Sequence, residues 1–117
     1  MPILIEAHRY LTETLAAKIN QMVFGFDGSS STSEDGGAGR PSVVVTPSVQ
    51  VLDEHTISVE GKLDTSVSFS TPIREVVLQY KNPSDSTDIL PIFRYTVQPV
   101  TKNSGNELKF SILVEVR

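Results

Sequence analysis

From Ser42 to the end of the chain, apolar side chains recur at every second position, and this period limits the possible folds more than any other feature. Val43/Val45, Val49/Val51, Ile57/Val59, Val67/Phe69, Val76/Leu78/Tyr80 and Phe93/Tyr95/Val97 alternate with mostly polar partners. The cleanest run is the last, where Leu108, Phe110, Ile112, Val114 and Val116 form one row and Lys109, Ser111, Leu113 and Glu115 the other. Alternation of this kind places one face of a strand on a core and the other toward solvent. Turn formers punctuate the runs: Thr46-Pro47, Asp53-Glu54, Asn82-Pro83-Ser84-Asp85 and Asn103-Ser104-Gly105-Asn106. Parallel pairing needs crossovers of about a dozen residues or more, and these gaps are too short. The pattern predicts a mainly β fold, an antiparallel β-sandwich of six to seven strands.

The N-terminal residues follow a different period. Leu4, Ala7, Leu11, Leu15, Ile19 and Met22 fall three or four apart, one stripe along a helix. The helix is expected to end near Asn20, with a short strand running on to Gly25. The stripe needs a cover, either the chain's own sheet or another subunit, because a lone amphipathic helix of about 18 residues is marginal in water. His8 lies in register with this stripe and reads as an interface or core histidine. Residues 27–40 break the pattern: nine of these fourteen are Gly, Ser or Thr, and the largest apolar side chain is alanine. Such composition predicts a flexible loop. The organisation expected is one domain of 117 residues: helix and first strand in 1–26, loop in 27–40, sandwich in 41–117.

Composition excludes several function classes. The net charge is −4, without the basic surplus of a phosphate-contacting nucleic-acid binder. There is no cysteine, which removes disulfides, thiolate metal sites and thiol catalysis. Apolar runs stop at three or four residues, far below the roughly 18–20 of a membrane span. The first ten residues lack a cationic, then apolar, leader pattern. Folding in a cytoplasm is expected, with neither nucleic acid nor membrane as partner.

Sites of chemistry are sparse. Asp53-Glu54-His55 could suggest a metal pair, but no further ligand at metal-site spacing accompanies it, and a solvated turn is the expected reading. A calcium loop counted from Asp27 fails, because its sixth and twelfth positions hold Thr32 and Ala38 in place of glycine and glutamate. The glycines at 25–28 and 36–39 are followed by no GK[ST], and no serine stands in a G-x-S-x-G elbow. Asp85 and Asp88 read as loop-tip carboxylates. The expectation is therefore no catalytic residue, no cofactor, no metal and no small-molecule substrate: not an enzyme.

One charge stands out. In Ile73-Arg74-Glu75-Val76-Val77-Leu78-Gln79-Tyr80, alternation sets Arg74 with Val76, Leu78 and Tyr80, and Glu75 with Ile73, Val77 and Gln79. Whichever row faces inward begins with a charge. It either reaches out to solvent at the strand end or is paired, across strands or across a subunit boundary.

The order of features carries a resemblance. A short helix leads to Phe24-Gly-Phe-Asp-Gly28 and a Ser/Thr-rich stretch, then to paired valine strands and Ile73-Arg-Glu75-Val-Val-Leu78. Ile92-Phe-Arg94-Tyr-Thr96 with Pro99 and the alternating last strand follow. This resembles the small β-sandwich domain of tailed-bacteriophage virion proteins, notably tail-fibre N-terminal attachment regions and related baseplate or collar proteins. It departs from that pattern after the Glu75 strand, where Asn82–Asp88 replaces a run of small residues. The resemblance implies a non-enzymatic structural subunit located in the virion and assembled in the host cytoplasm. Such a subunit, an adaptor of tail, neck or baseplate, would bind other virion proteins and itself as a homo-oligomer. The alternative is a carbohydrate- or protein-binding adhesin module, although sugar-stacking aromatics are few, with no Trp and 3 Tyr.

The expected interface residues are Leu4, Leu11, Leu15 and Ile19 on the helix, and Lys109, Leu113 and Glu115 on the last strand. Leu113 interrupts an otherwise polar row. It either touches a neighbour with Lys109 and Glu115 at the rim, is covered by the chain's own helix, or stands as a lone exposed leucine.

Overall fold

A computed structural model describes residues 4–29, 37, 41–69 and 71–116. The described residues form one helix, α1 (Ile5–Lys18), and seven strands: β1 (Gln21–Gly25), β2 (Pro41–Val45), β3 (Ser48–Asp53), β4 (Thr56–Leu63), β5 (Ile73–Lys81), β6 (Ile89–Val100) and β7 (Leu108–Glu115). They make two sheets, one ordered β2-β1-β5-β6 and the other β3-β4-β7, with every pairing antiparallel. The protein is the expected antiparallel β-sandwich with an N-terminal helix. Among the described residues no helix is long and apolar enough to cross a membrane.

The core fills the space between the sheets. Met22 and Phe24 of β1, Val76 and Leu78 of β5, and Ile57, Val59 and Leu63 of β4 are buried there. Phe24 meets Phe110 of β7 at a ring-centroid distance of 4.9 Å. Each such side chain contributes about 1.5–3 kcal/mol through burial. At Gly61 the sheets come so close that a Cβ would run into the Met22 sulfur, with Val45 behind it. Glycine is required there by proximity, not by conformation.

Two expectations need correction. Val67 and Phe69 alternate like a strand but belong to the connection between β4 and β5. Both are half-buried against the core, yet their backbones join no ladder: Val67 N–H bonds Asp64 O and Phe69 N–H bonds Lys102 O. Phe69 also meets Phe26 edge-on at 5.6 Å. The alternation there reports burial without a ladder. Strict parity also fails at the start of β5. The β5–β6 register shifts between Ile73 and Glu75, so Ile73 joins Val76 and Leu78 in the core while Glu75 lies on the opposite face.

The helix ends as expected, but its buried face is turned. Thr12, Ala16 and Ile19 are buried and Leu15 is half-buried, whereas Leu4 and Leu11 are 77% and 46% exposed. Thr12 Oγ1 donates to Glu54 O at 2.7 Å, and the His8 ring bonds Val116 O, so the β3–β4 turn and the end of β7 set the roll of the helix. At the other end, Asn20 clasps β5: its Nδ2 donates to Lys81 O and its Oδ1 accepts from Lys81 N–H. Glu6 in the first turn and Lys18 in the last suit the helix dipole, and Lys18 Nζ lies 4.4 Å from the Tyr80 ring centre.

Candidate functional site

The outward face of the β3-β4-β7 sheet is where the sequence places its strand-borne interface. The β4–β7 ladder runs without a shift from Thr56↔Glu115 to Leu63↔Leu108. It puts Lys109, Ser111, Leu113 and Glu115 in one outward row, opposite Lys62, Glu60, Ser58 and Thr56. Leu113 is 68% exposed, between Ser58 and the open side of β7. The helix therefore does not cover it. Lys109 Nζ reaches Glu60 Oε1 at 3.4 Å, and Lys62 Nζ reaches Glu107 Oε2 at 3.2 Å, both exposed pairs of small energetic weight.

Among the described residues β7 is also an edge strand, paired on one side with β4. The other three edges carry devices that discourage strand addition. β2 opens on Pro41 with a register shift against β1, β3 has a shift between Val51 and Asp53, and β6 holds Pro91 and Pro99 with two shifts. β7 has neither proline nor shift over its eight residues. Its inward row is laterally open as well, since Leu108, Phe110 and Ile112 are half-buried while Val114 is buried.

Of the helical residues expected at an interface, Leu4 and Leu11 are available. Leu15 and Ile19 are not, because the chain's own core covers them. The real buried row is His8, Thr12, Leu15, Ala16 and Ile19, a helical spacing in which polar side chains hold two places. A search for apolar residues alone passes over it.

The charge at the start of β5 is paired across strands. Glu75 is fully buried; its Oε1 accepts from Arg94 Nε at 3.1 Å and its Oε2 from Asp27 N–H at 2.7 Å. Arg94 Nη1 donates to Ser29 O at 3.0 Å and Nη2 to Asp27 O at 3.1 Å, with the Asp27 carboxylate 3.8 Å away. Arg74, its neighbour, is exposed. Asp27 and Ser29 are thus tied to β6, and Gly37 lies beside Pro91 of the same strand. Residues 30–36 and 38–40, the remainder of the stretch expected to be flexible, lie outside the described residues.

Lys102 is a group that sequence reasoning missed. It is fully buried and its Nζ donates to Val67 O and Asn103 O, each at 2.6 Å, which locks the β6–β7 connection onto the β4–β5 connection. Gly105 in that turn has φ +90°, a conformation that suits glycine.

The histidines meet at the base of the helix. The rings of His8 and His55 are 6.0 Å apart, and His55 Nδ1 lies 3.1 Å from Asp53 Oδ1 and 2.9 Å from Thr56 Oγ1. The His55 N–H bond to Asp53 holds that carboxyl below its usual range, so the turn is structured by its own side chains and docks the helix through Glu54 O. Among the described residues no group of three or more His, Asp or Glu could hold a metal ion. An open cleft of about 660 Å³ is lined by Gly28, Arg74 and Thr96 to Pro99, with Arg74 the ionisable side chain in that lining.

Comparison of the chain with protein-family models, curated protein sequences and solved structures finds no match.

Proposed function

We propose that this chain is a non-enzymatic structural subunit of a tailed-bacteriophage virion, an adaptor or attachment protein of tail, neck or baseplate that works by protein–protein contact. The observation that carries the contact reading is the exposed Leu113 at the centre of an unobstructed strand edge. An edge of unpaired N–H and C=O groups invites a further strand, and an apolar side chain on it favours a protein neighbour over water. The virion reading is supported by the resemblance. Three of its motif segments fall on or beside β1, β5 and β6, which are adjacent strands, and Asp27, Glu75 and Arg94 of those segments form one cluster while Arg74 stays exposed.

The test is fractionation of a lysate that contains assembled particles, with an antibody to the chain. Banding with the particles on a density gradient is expected, together with loss of that banding for Leu113→Ser at an unchanged melting temperature. Recovery of the wild-type chain solely among free proteins would overturn the reading. Binding to a glycan array by the isolated chain, without banding, would establish the adhesin alternative instead.

A further inference from the structure

The row of side chains along β7 is complementary to itself when the strand is reversed, and from this we infer that the neighbour at this edge is a second copy of the same chain, related by a two-fold axis through Ile112. The inference rests on the contact reading above and specifies its partner.

In an antiparallel pairing of two β7 strands, residues whose numbers have a constant sum face each other, on the same side of the joined sheet. With Ile112 on the axis, Lys109 stands opposite the partner's Glu115, and Glu115 opposite the partner's Lys109. Ser111 and Leu113 face the partner's Leu113 and Ser111, which brings the two exposed leucines to either side of the axis. On the inner side Phe110 faces the partner's Val114, and Ile112 faces the partner's Ile112. The half-buried inward row is thereby continued into a second apolar row. Two three-stranded sheets become one of six strands.

Neighbouring registers lose this match. Centring on Ser111 sets Glu115 against the partner's Glu107, two like charges. Centring on Leu113 sets Glu115 against the partner's Ser111, so the cross-strand pairing of Lys109 with Glu115 is lost. A shift by one residue places the polar row of one copy beside the apolar row of the other. Lys109 keeps its Glu60 contact within the chain and sits between two carboxylates in the dimer.

Sedimentation velocity across a concentration series, at low and at high salt, tests the proposal. A species of twice 12.8 kDa should grow with concentration and weaken with salt. Lys109→Glu and Glu115→Lys should each weaken dimerisation by about tenfold, since each replaces two attractive pairs with two repulsive ones. The double variant K109E/E115K should return to nearly the wild-type constant, because the pairs re-form with their signs exchanged. Both substitutions are on exposed side chains, and melting curves verify that the fold is intact. The chain has no cysteine, so an oxidised mixture of Ser111→Cys and Leu113→Cys proteins should give the mixed disulfide ahead of either symmetric one.

A wild-type chain that stays monomeric at every concentration overturns the proposal, as does a double variant no better than the singles. A monomer that still bands with particles removes the second copy and leaves the virion reading standing. A dimer that never bands with particles does the reverse.

Discussion

The two sheets share one core but not one environment. The β3-β4-β7 sheet is buried on one face, and its outward row of Ser48, Gln50, Ser58, Glu60, Lys62 and Leu113 does not enter the core. The β2-β1-β5-β6 sheet is buried on both faces at its centre: Val23, Val77, Glu75 and Gln79 point away from the core and are nevertheless covered. The sequence of each sheet follows from this. Strands with one wet face alternate, as β4 and β7 do, whereas β1 and β5 carry the unbroken runs Met22-Val23-Phe24 and Val76-Val77-Leu78. The difference also separates two uses of charge. On the covered face Glu75 and Arg94 pair out of water, and on the open face Lys109 pairs with Glu60 at the surface while Glu115 is exposed.

The largest expected effect comes from breaking the covered pair. Arg94→Ala takes the guanidinium away from the buried Glu75 carboxylate and should cost about 3–5 kcal/mol in a urea titration. Replacing both partners by apolar residues, Glu75→Leu with Arg94→Met, should cost less than the single change. A mild effect of Arg94→Ala would mean that water reaches this face and that the two sheets are alike.

Truncating matched outward side chains sharpens the contrast. Val77→Ala should cost about 2 kcal/mol, because it opens a cavity on a covered face. Leu113→Ala should stay within about 0.5 kcal/mol of wild type for the dilute monomer. Equal losses in the melting profiles would break the comparison.

The helix joins the open sheet by a bond from Thr12 to Glu54 O. Thr12→Val keeps the shape, removes the donor and should cost about 1 kcal/mol by chemical denaturation. Amide exchange should then quicken in α1 ahead of the strands.

The smallest effect lies in the two hairpins. Asp85 between β5 and β6 is held below the usual carboxylate range by the Thr87 hydroxyl and then its N–H, and Asp53 between β3 and β4 chiefly by the His55 N–H. A depressed folded-state value means stability that is present above the unfolded value of about 3.9 and is lost as pH falls through the folded one. Asp85→Asn and Asp53→Asn should therefore each flatten the acid limb of a stability–pH curve, lowering stability slightly at neutral pH and converging on wild type at low pH. Both residues are exposed, so the two changes should resemble each other, the point at which the sheets no longer differ.

Much of the fold was legible because period and burial coincide: six of the seven apolar pairs or runs from Ser42 onward lie on strands, and the helix-to-β1 junction stands where the Asn20 boundary was expected. What escaped lies where polar atoms hold structure. Thr12 and His8 occupy the docked helix face because Glu54 O and Val116 O are there to receive them, and those acceptors are more than forty residues away in sequence. Lys102 stands in a stretch that reads as a solvated turn, and its acceptors are backbone carbonyls, which leave no trace in the residue pattern. Glu75 was visible as an anomaly, yet its partner Arg94 was visible only as part of a motif. Of the candidate site, Lys109, Leu113 and Glu115 were readable from alternation. The openness of β7 was not, since strand order is decided by long-range pairing.

The Asn20 clasp has a mechanical consequence. A load applied through the N-terminal helix reaches β1 directly at Ile19-Asn20, and β1 lies inside its sheet, hydrogen-bonded to β2 on one flank and β5 on the other. Pulled along its axis, such a strand must slide past both neighbours, so many bonds share the tension and yield together, whereas an outer strand peels one bond at a time. A load entering through the helix thus falls on an interior strand, whereas one applied through β7 falls on a rim strand, where bonds yield in succession.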